Sequence, residues 1–229
     1  MNSGAIRELL NEAVDPPIRG FLHVPETPNN DGLILTHGAG GNAQAPLLRA
    51  LADTFSVVGF TVLRCDLPFR QTRSFGPPGP GDAARDRAGL KNAIAALQKL
   101  MGDFSNLNSG KVFLGGHSYG GRQSSMLSAE EPDLVAGLLL LSYPLHPPRK
   151  PEQQRTQHLP DLRTPTLFVH GTRDPFGTID ELQRAIKMIP AKTQLLTVEG
   201  AGHDLGFKGK TKQEKLAAVV LADFQALVR

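Results

Sequence analysis

Short apolar runs alternate with segments of helical spacing along nearly the whole chain, and this alternation restricts the fold more than any other feature. Residues 18–24, 32–36, 60–65, 111–115, 136–141, 166–170 and 194–198 read as strands. Between them, 46–54, 82–101, 119–130 and 178–189 read as helices; in the longest, Leu90, Ile94, Leu97 and Met101 fall on one face. A last helix is expected over 211–227, opened by the capping-box pattern Thr211–Lys212–Gln213–Glu214. Apolar strands separated by helices imply parallel strands buried on both faces. The expected fold is therefore α/β, a doubly wound and mostly parallel sheet. Ile6, Leu9, Leu10 and Ala13 leave the segment before Pro16 open between a helix and an edge strand.

The 229 residues suit one domain spanning 1–229, with no internal repeat and no linker. The Pro- and Gly-rich stretches 75–81 and 144–151 read as surface loops. Hydrophobic residues make up 40% and charged residues 21%, a globular balance. The net charge of +3 comes from interspersed acids and bases, which disfavours nucleic acid as a partner. The longest strongly apolar run, 134–141, is too short to span a bilayer, and residues 1–17 lack the pattern of a secretory signal. One cysteine, Cys65, allows no intrachain disulfide and suits a reducing cytoplasm. Its apolar surroundings mark it as a core residue.

Gly116–His117–Ser118–Tyr119–Gly120 matches G-x-S-x-G, with a strand before it and a helix immediately after. In that context the serine sits on a sharp turn with its hydroxyl exposed above the sheet edge. The helix that follows aims its N-terminal amides at the same place. A serine hydroxyl needs a base, and in this architecture the partners follow in the order Ser, acid, His. His203, in Gly200–Ala201–Gly202–His203–Asp204, follows the last predicted strand and is the expected base. Asp174, in the loop after 166–170, is the expected acid that orients it; Asp204 and Glu199 are rivals. The oxyanion donors are expected at Tyr119 and at Ala39, in His37–Gly38–Ala39–Gly40–Gly41. Neither G-x-x-x-x-G-K-[ST] nor an opening G-x-G-x-x-G is present, which disfavours nucleotide binding.

From about Arg19 onward the chain resembles the α/β-hydrolase superfamily, and within it the small dienelactone-hydrolase-like esterases. More closely it resembles the subgroup of testis-expressed hydrolase-like proteins and the hydrolase-like domain of a histone-acetyltransferase complex subunit. Thr36–His37–Gly38–Ala39–Gly40–Gly41, Phe113–Leu114–Gly115–Gly116, Gly120–Gly121–Arg122 and Ser142–Tyr143–Pro144–Leu145–His146 carry that likeness. The chain departs from the subgroup at His117 and Tyr119, where arginine and methionine are common. It also has Ser118 where dienelactone hydrolases have cysteine. In this superfamily a lid commonly follows the strand at 136–141. The Pro-rich stretch 142–163 leaves no room for a large helical cap, so a shallow open site is expected.

These readings converge on a serine hydrolase that cleaves small carboxylic esters or thioesters through an acyl-enzyme, without cofactor or metal. Arg70, Arg73 and Arg122 are candidate contacts for an anionic substrate, because guanidinium forks bind carboxylates. The alternative is a non-catalytic hydrolase-like scaffold that binds a protein partner. The two differ in whether Ser118, Asp174 and His203 lie within hydrogen-bond reach of one another.

Overall fold

The computed structural model describes residues 4–104, 110–207 and 215–229. Eight strands, β1 (Ala5–Asn11), β2 (Ile18–Val24), β3 (Gly32–Thr36), β4 (Thr61–Cys65), β5 (Val112–His117), β6 (Leu138–Leu141), β7 (Thr166–Gly171) and β8 (Thr193–Val198), form a mostly parallel sheet in the order β1-β2-β4-β3-β5-β6-β7-β8. The chain divides into two compact units, Met1–Gly115 and Gly116–Arg229. Among the described residues no helix is long and apolar enough to cross a membrane.

In the first unit, β1 (Ala5–Asn11) pairs antiparallel with β2 (Ile18–Val24), and β2 pairs antiparallel with β4 (Thr61–Cys65). The open question before Pro16 is thus resolved as an edge strand. The spacing left both readings open because the strand lies at the sheet margin, with Ile6 and Leu10 exposed. β3 (Gly32–Thr36) runs parallel to β4, and both are buried throughout. α1 (Pro46–Val57) starts with proline at its first position, where no amide is needed, and buries Leu47, Leu48, Leu51, Ala52 and Phe55. α3 (Asp82–Phe104) buries the expected row Leu90, Ile94, Leu97 and Met101. A short α2 (Pro68–Thr72) was not foreseen; five residues are too few to establish a period. Cys65 is in the core, and burial pushes its thiol up to about 12, so it stays an unreactive thiol.

β5 (Val112–His117) leads through Ser118 into α4 (Tyr119–Glu130). In the second unit β6 (Leu138–Leu141), β7 (Thr166–Gly171) and β8 (Thr193–Val198) pair in parallel. The four leucines of β6 are fully buried, and Phe168 meets Tyr143 edge to face at 5.9 Å. Between β6 and β7 the sole regular element among the described residues is the 3₁₀ turn Leu159–Asp161. α5 (Ile179–Ile186) begins with a complete capping box, Thr178 with Glu181. The box expected at Thr211–Glu214 lies outside the described residues; α6 is seen as Leu216–Val228.

Buried donors of the first unit, the Arg64 guanidinium and the Leu67 amide, meet histidine rings. Arg64 Nε donates to His23 Nε2 at 2.8 Å, and its guanidinium lies over the Phe21 ring. Burial, aided by the nearby Arg64 charge, lowers His23 to about 4, against 6.5 when solvated. Because the folded value is the lower one, the ring's contribution is fully present above pH 6.5 and is lost as pH falls from 6.5 towards 4. Within that window one such ring steepens the loss by up to about 1.4 kcal/mol per pH unit. Urea melts from pH 7 to pH 4 are expected to show a shallower decline for His23→Gln, whose amide does not titrate. An unchanged slope contradicts the assignment.

Candidate active site

Ser118 has φ 53° and ψ −116°, a strained backbone for a residue with a side chain. Two glycines make that turn feasible. A Cβ on Gly116 would stand 2.5 Å from the Gly120–Gly121 peptide, and one on Gly121 would stand 2.6 Å from the Gly116 carbonyl. Strand and helix therefore cross backbone to backbone. The Ser118 amide donates to Leu141 O at 2.8 Å, tying the turn to the end of β6. The first bond within α4 runs from Arg122 N–H to Ser118 O, so the Tyr119 amide belongs to the first turn of the helix.

His203 and Asp174 come to this serine from loops that brace each other. After β7, the Thr172 amide donates to Val198 O, and the Arg173 amide to Ala201 O at 2.9 Å. Gly200 N–H returns a bond to Thr172 Oγ1, also at 2.9 Å. Gly171 lies so close to the histidine loop that a Cβ there would meet Ala201 O at 2.3 Å. Asp174 has a fully buried carboxylate; one oxygen accepts the Phe176 amide and the other accepts His203 Nδ1–H at 2.8 Å. A carboxylate only accepts, so the proton sits on Nδ1 and leaves Nε2 as an acceptor. Nε2 lies 2.8 Å from Ser118 Oγ. The rivals are occupied elsewhere. Glu199 takes the Thr172 hydroxyl, and Asp204 accepts Gly206 N–H within its own turn.

Several contributors had no clear signal in the sequence. The Phe176 ring stacks on His203, with centroids 4.2 Å apart and planes inclined by 31°. His146 N–H donates to Phe176 O, so the Ser142–His146 stretch braces the acid loop. Tyr143 reinforces it by donating its hydroxyl to Arg155 O. His170 is buried and donates Nε2–H to Gly177 O; burial holds it below its ordinary value, a neutral ring 3.8 Å from Asp174. Among the described residues, no group of three or more His, Cys, Asp or Glu is gathered as a metal ion would require.

In the first unit, the loop after β3 is held rigidly. Gly38 O accepts both His37 Nδ1–H at 2.8 Å and Gly41 N–H at 3.0 Å. His37 Nε2 accepts the Leu67 amide, so both ring nitrogens are committed, and burial lowers its pKa. A peptide group is planar and trans, so pinning Gly38 O also fixes the direction of Ala39 N–H. Arg70 completes the loop. Its buried guanidinium donates to Ala39 O, Gly41 O, Arg73 O and Gly76 O, which makes it a scaffold for the loop. Arg73 is ion-paired with Asp82. Arg122 differs: its Nε is buried without a hydrogen-bond partner, and it makes no ion pair with any described residue. Burial lowers the pKa of Arg155, and the Arg122 charge adds to that effect.

A mostly parallel eight-stranded sheet with a serine on its strand-to-helix turn is the architecture of the α/β hydrolases. Residues 29–226 match the alpha/beta hydrolase domain family, and the chain belongs to it. Solved structures agree in fold. A dienelactone hydrolase from Anabaena variabilis is 20% identical with a TM-score of 0.71, covering 100% of both chains. An α/β serine hydrolase homologue from Coxiella burnetii is 15% identical with a TM-score of 0.72, covering 97% of this chain and 98% of that one. An α/β serine hydrolase without lid from Xanthomonas campestris is 15% identical with a TM-score of 0.73, covering 99% and 95%.

The different surroundings of Arg70 and Arg73 are measurable. Arg70→Met leaves four carbonyls without their donor and is expected to cost about 2–4 kcal/mol in urea unfolding. Arg73→Met breaks a largely exposed pair and is expected to cost under about 1 kcal/mol. Equal losses contradict the scaffold role of Arg70.

Proposed function

We propose that this chain is a serine hydrolase that cleaves small carboxylic esters or thioesters through an acyl-enzyme. The observation that carries the reading is the hydrogen-bonded series from Ser118 Oγ through His203 to Asp174, with both bonds at 2.8 Å. His203 Nε2 accepts the Ser118 proton as Oγ attacks the acyl carbon, and Asp174 stabilises the imidazolium. The amide of Tyr119 holds the developing oxyanion, and the sequence pattern offers Ala39 as a second donor. The protonated His203 then returns its proton to the departing alkoxide or thiolate. In the second half, His203 takes a proton from water as its oxygen adds to the acyl carbon, and then returns that proton to Ser118 Oγ as the Ser118–acyl bond breaks, releasing the acid. The scaffold alternative is disfavoured by the same two distances. On the Ser142–His146 stretch we further assign the chain to the testis-expressed hydrolase-like subgroup.

The test is covalent labelling with a fluorophosphonate probe, read by intact mass. One adduct is expected on the native chain and none on Ser118→Ala. Labelling is expected to slow by at least about 10³-fold in His203→Ala, and to fall in Asp174→Asn through loss of the correct tautomer. An adduct that survives in Ser118→Ala, or no adduct on folded native protein, contradicts the proposal.

Of the three arginines considered for an anionic substrate, Arg122 is the one we retain, because Arg70 and Arg73 are committed to other groups. It lies one helical turn beyond Ser118. Arg122→Gln is expected to lower kcat/KM for a dicarboxylic monoester roughly 10-fold relative to a neutral ester of equal length. An unchanged ratio contradicts this role.

A further inference from the structure

The residue just before the nucleophile makes a contact that the reaction scheme leaves unused. His117 ends β5, and its Nε2 lies 2.7 Å from the backbone carbonyl of His203. A carbonyl only accepts, so His117 carries a hydrogen on Nε2 and donates it. Two consecutive residues thus grip one histidine: Ser118 meets its ring and His117 meets its main chain. The two rings lie with centroids 5.1 Å apart, inclined by 50°, and Phe176 stacks on the His203 ring.

The histidine loop needs such a tie. It carries Gly200 at φ 71°, Leu205 at φ 52° and Gly206 at φ 83°, three left-handed residues within seven positions. Its bonds to the acid loop, at Gly200 and Ala201, come before His203, and its turn bonds, from Ala201 N–H to Val198 O, Leu205 N–H to Gly202 O and Phe207 N–H to Asp204 O, stay within the loop. They do not fix the distance from this loop to the serine turn. The Ser118–His203 bond must itself loosen when the proton moves, so it is a poor anchor for the base.

Resting on the serine-hydrolase reading above, we propose that His117 is a positioning residue. Its ring N–H holds the His203 carbonyl, and so fixes the base at proton-transfer distance from Ser118 independently of the hydrogen bond that is consumed in the reaction. His117 touches neither substrate nor transferred proton. Its effect is on the alignment of Oγ and Nε2, where displacements of an ångström slow a reaction by about 100-fold.

The test compares His117→Phe, which keeps a ring without the donor, with His117→Gln, whose amide N–H reaches a similar point. Hydrolysis of p-nitrophenyl acetate is measured beside far-UV circular dichroism and the far-downfield proton resonance of His203 Nδ1–H. His117→Phe is expected to lower kcat about 10- to 100-fold with KM within about 2-fold, and to lose or broaden the downfield resonance. His117→Gln is expected to recover most of the rate and the resonance. Equal effects of Phe and Gln, or a loss confined to KM or to folded content, overturn the positioning role. If native protein neither hydrolyses the ester nor takes the fluorophosphonate, the hydrolase reading fails. The resonance then tests the His117 tie alone, and its persistence in His117→Phe overturns that tie.

Discussion

The backbone at Ser118 is the constraint on which the rest of the structure depends. A residue with a side chain is held at φ 53° between a strand and a helix that touch through glycines. Such a conformation costs of order 1–3 kcal/mol and persists where its surroundings over-determine it. Here the bond from Ser118 N–H to Leu141 O and the Gly116–Gly121 crossing do so. The result is a Ser118 hydroxyl held 2.8 Å from His203 Nε2.

The second unit then assembles everything His203 needs from its own loops. The acid loop is tied to the histidine loop by paired backbone bonds, and the Ser142–His146 stretch is tied to the acid loop through Phe176. The Asp174 carboxylate is wholly buried and fully used, one oxygen on an amide and one on the imidazole. Bonds of this kind hold the two loops to each other and orient the imidazole. The first unit follows the same logic in the loop after β3, where His37 and Arg70 fix carbonyls and thereby orient the amides opposite them.

The sheet was legible in the sequence wherever a strand is buried on both faces, because a continuous apolar run has few other uses. β3, β6 and β7 are examples, and the helical row through α3 was equally plain. β1 was not legible: its exposed apolar residues carry no information about which face is covered. That Ser118, Asp174 and His203 meet could be read from order and flanking glycines, because sharp turns demand particular residue types. His117, Phe176 and the loop-building role of Arg70 could not. Each acts through a contact to a residue distant in sequence, and one chain viewed linearly holds no trace of that pairing. Thr178 and Glu181 form a complete capping box that the sequence reading passed over.

The central claim is that Ser118 carries the acyl group during turnover. The most direct measurement is rapid acid quenching of the native protein during hydrolysis of p-nitrophenyl acetate, followed by peptide mass analysis. The account predicts one acetyl increment on the peptide containing Ser118, appearing with the initial release of p-nitrophenol and decaying as substrate is exhausted. Hydrolysis without that increment under conditions where deacylation is slowed, or an increment on another residue, would contradict it.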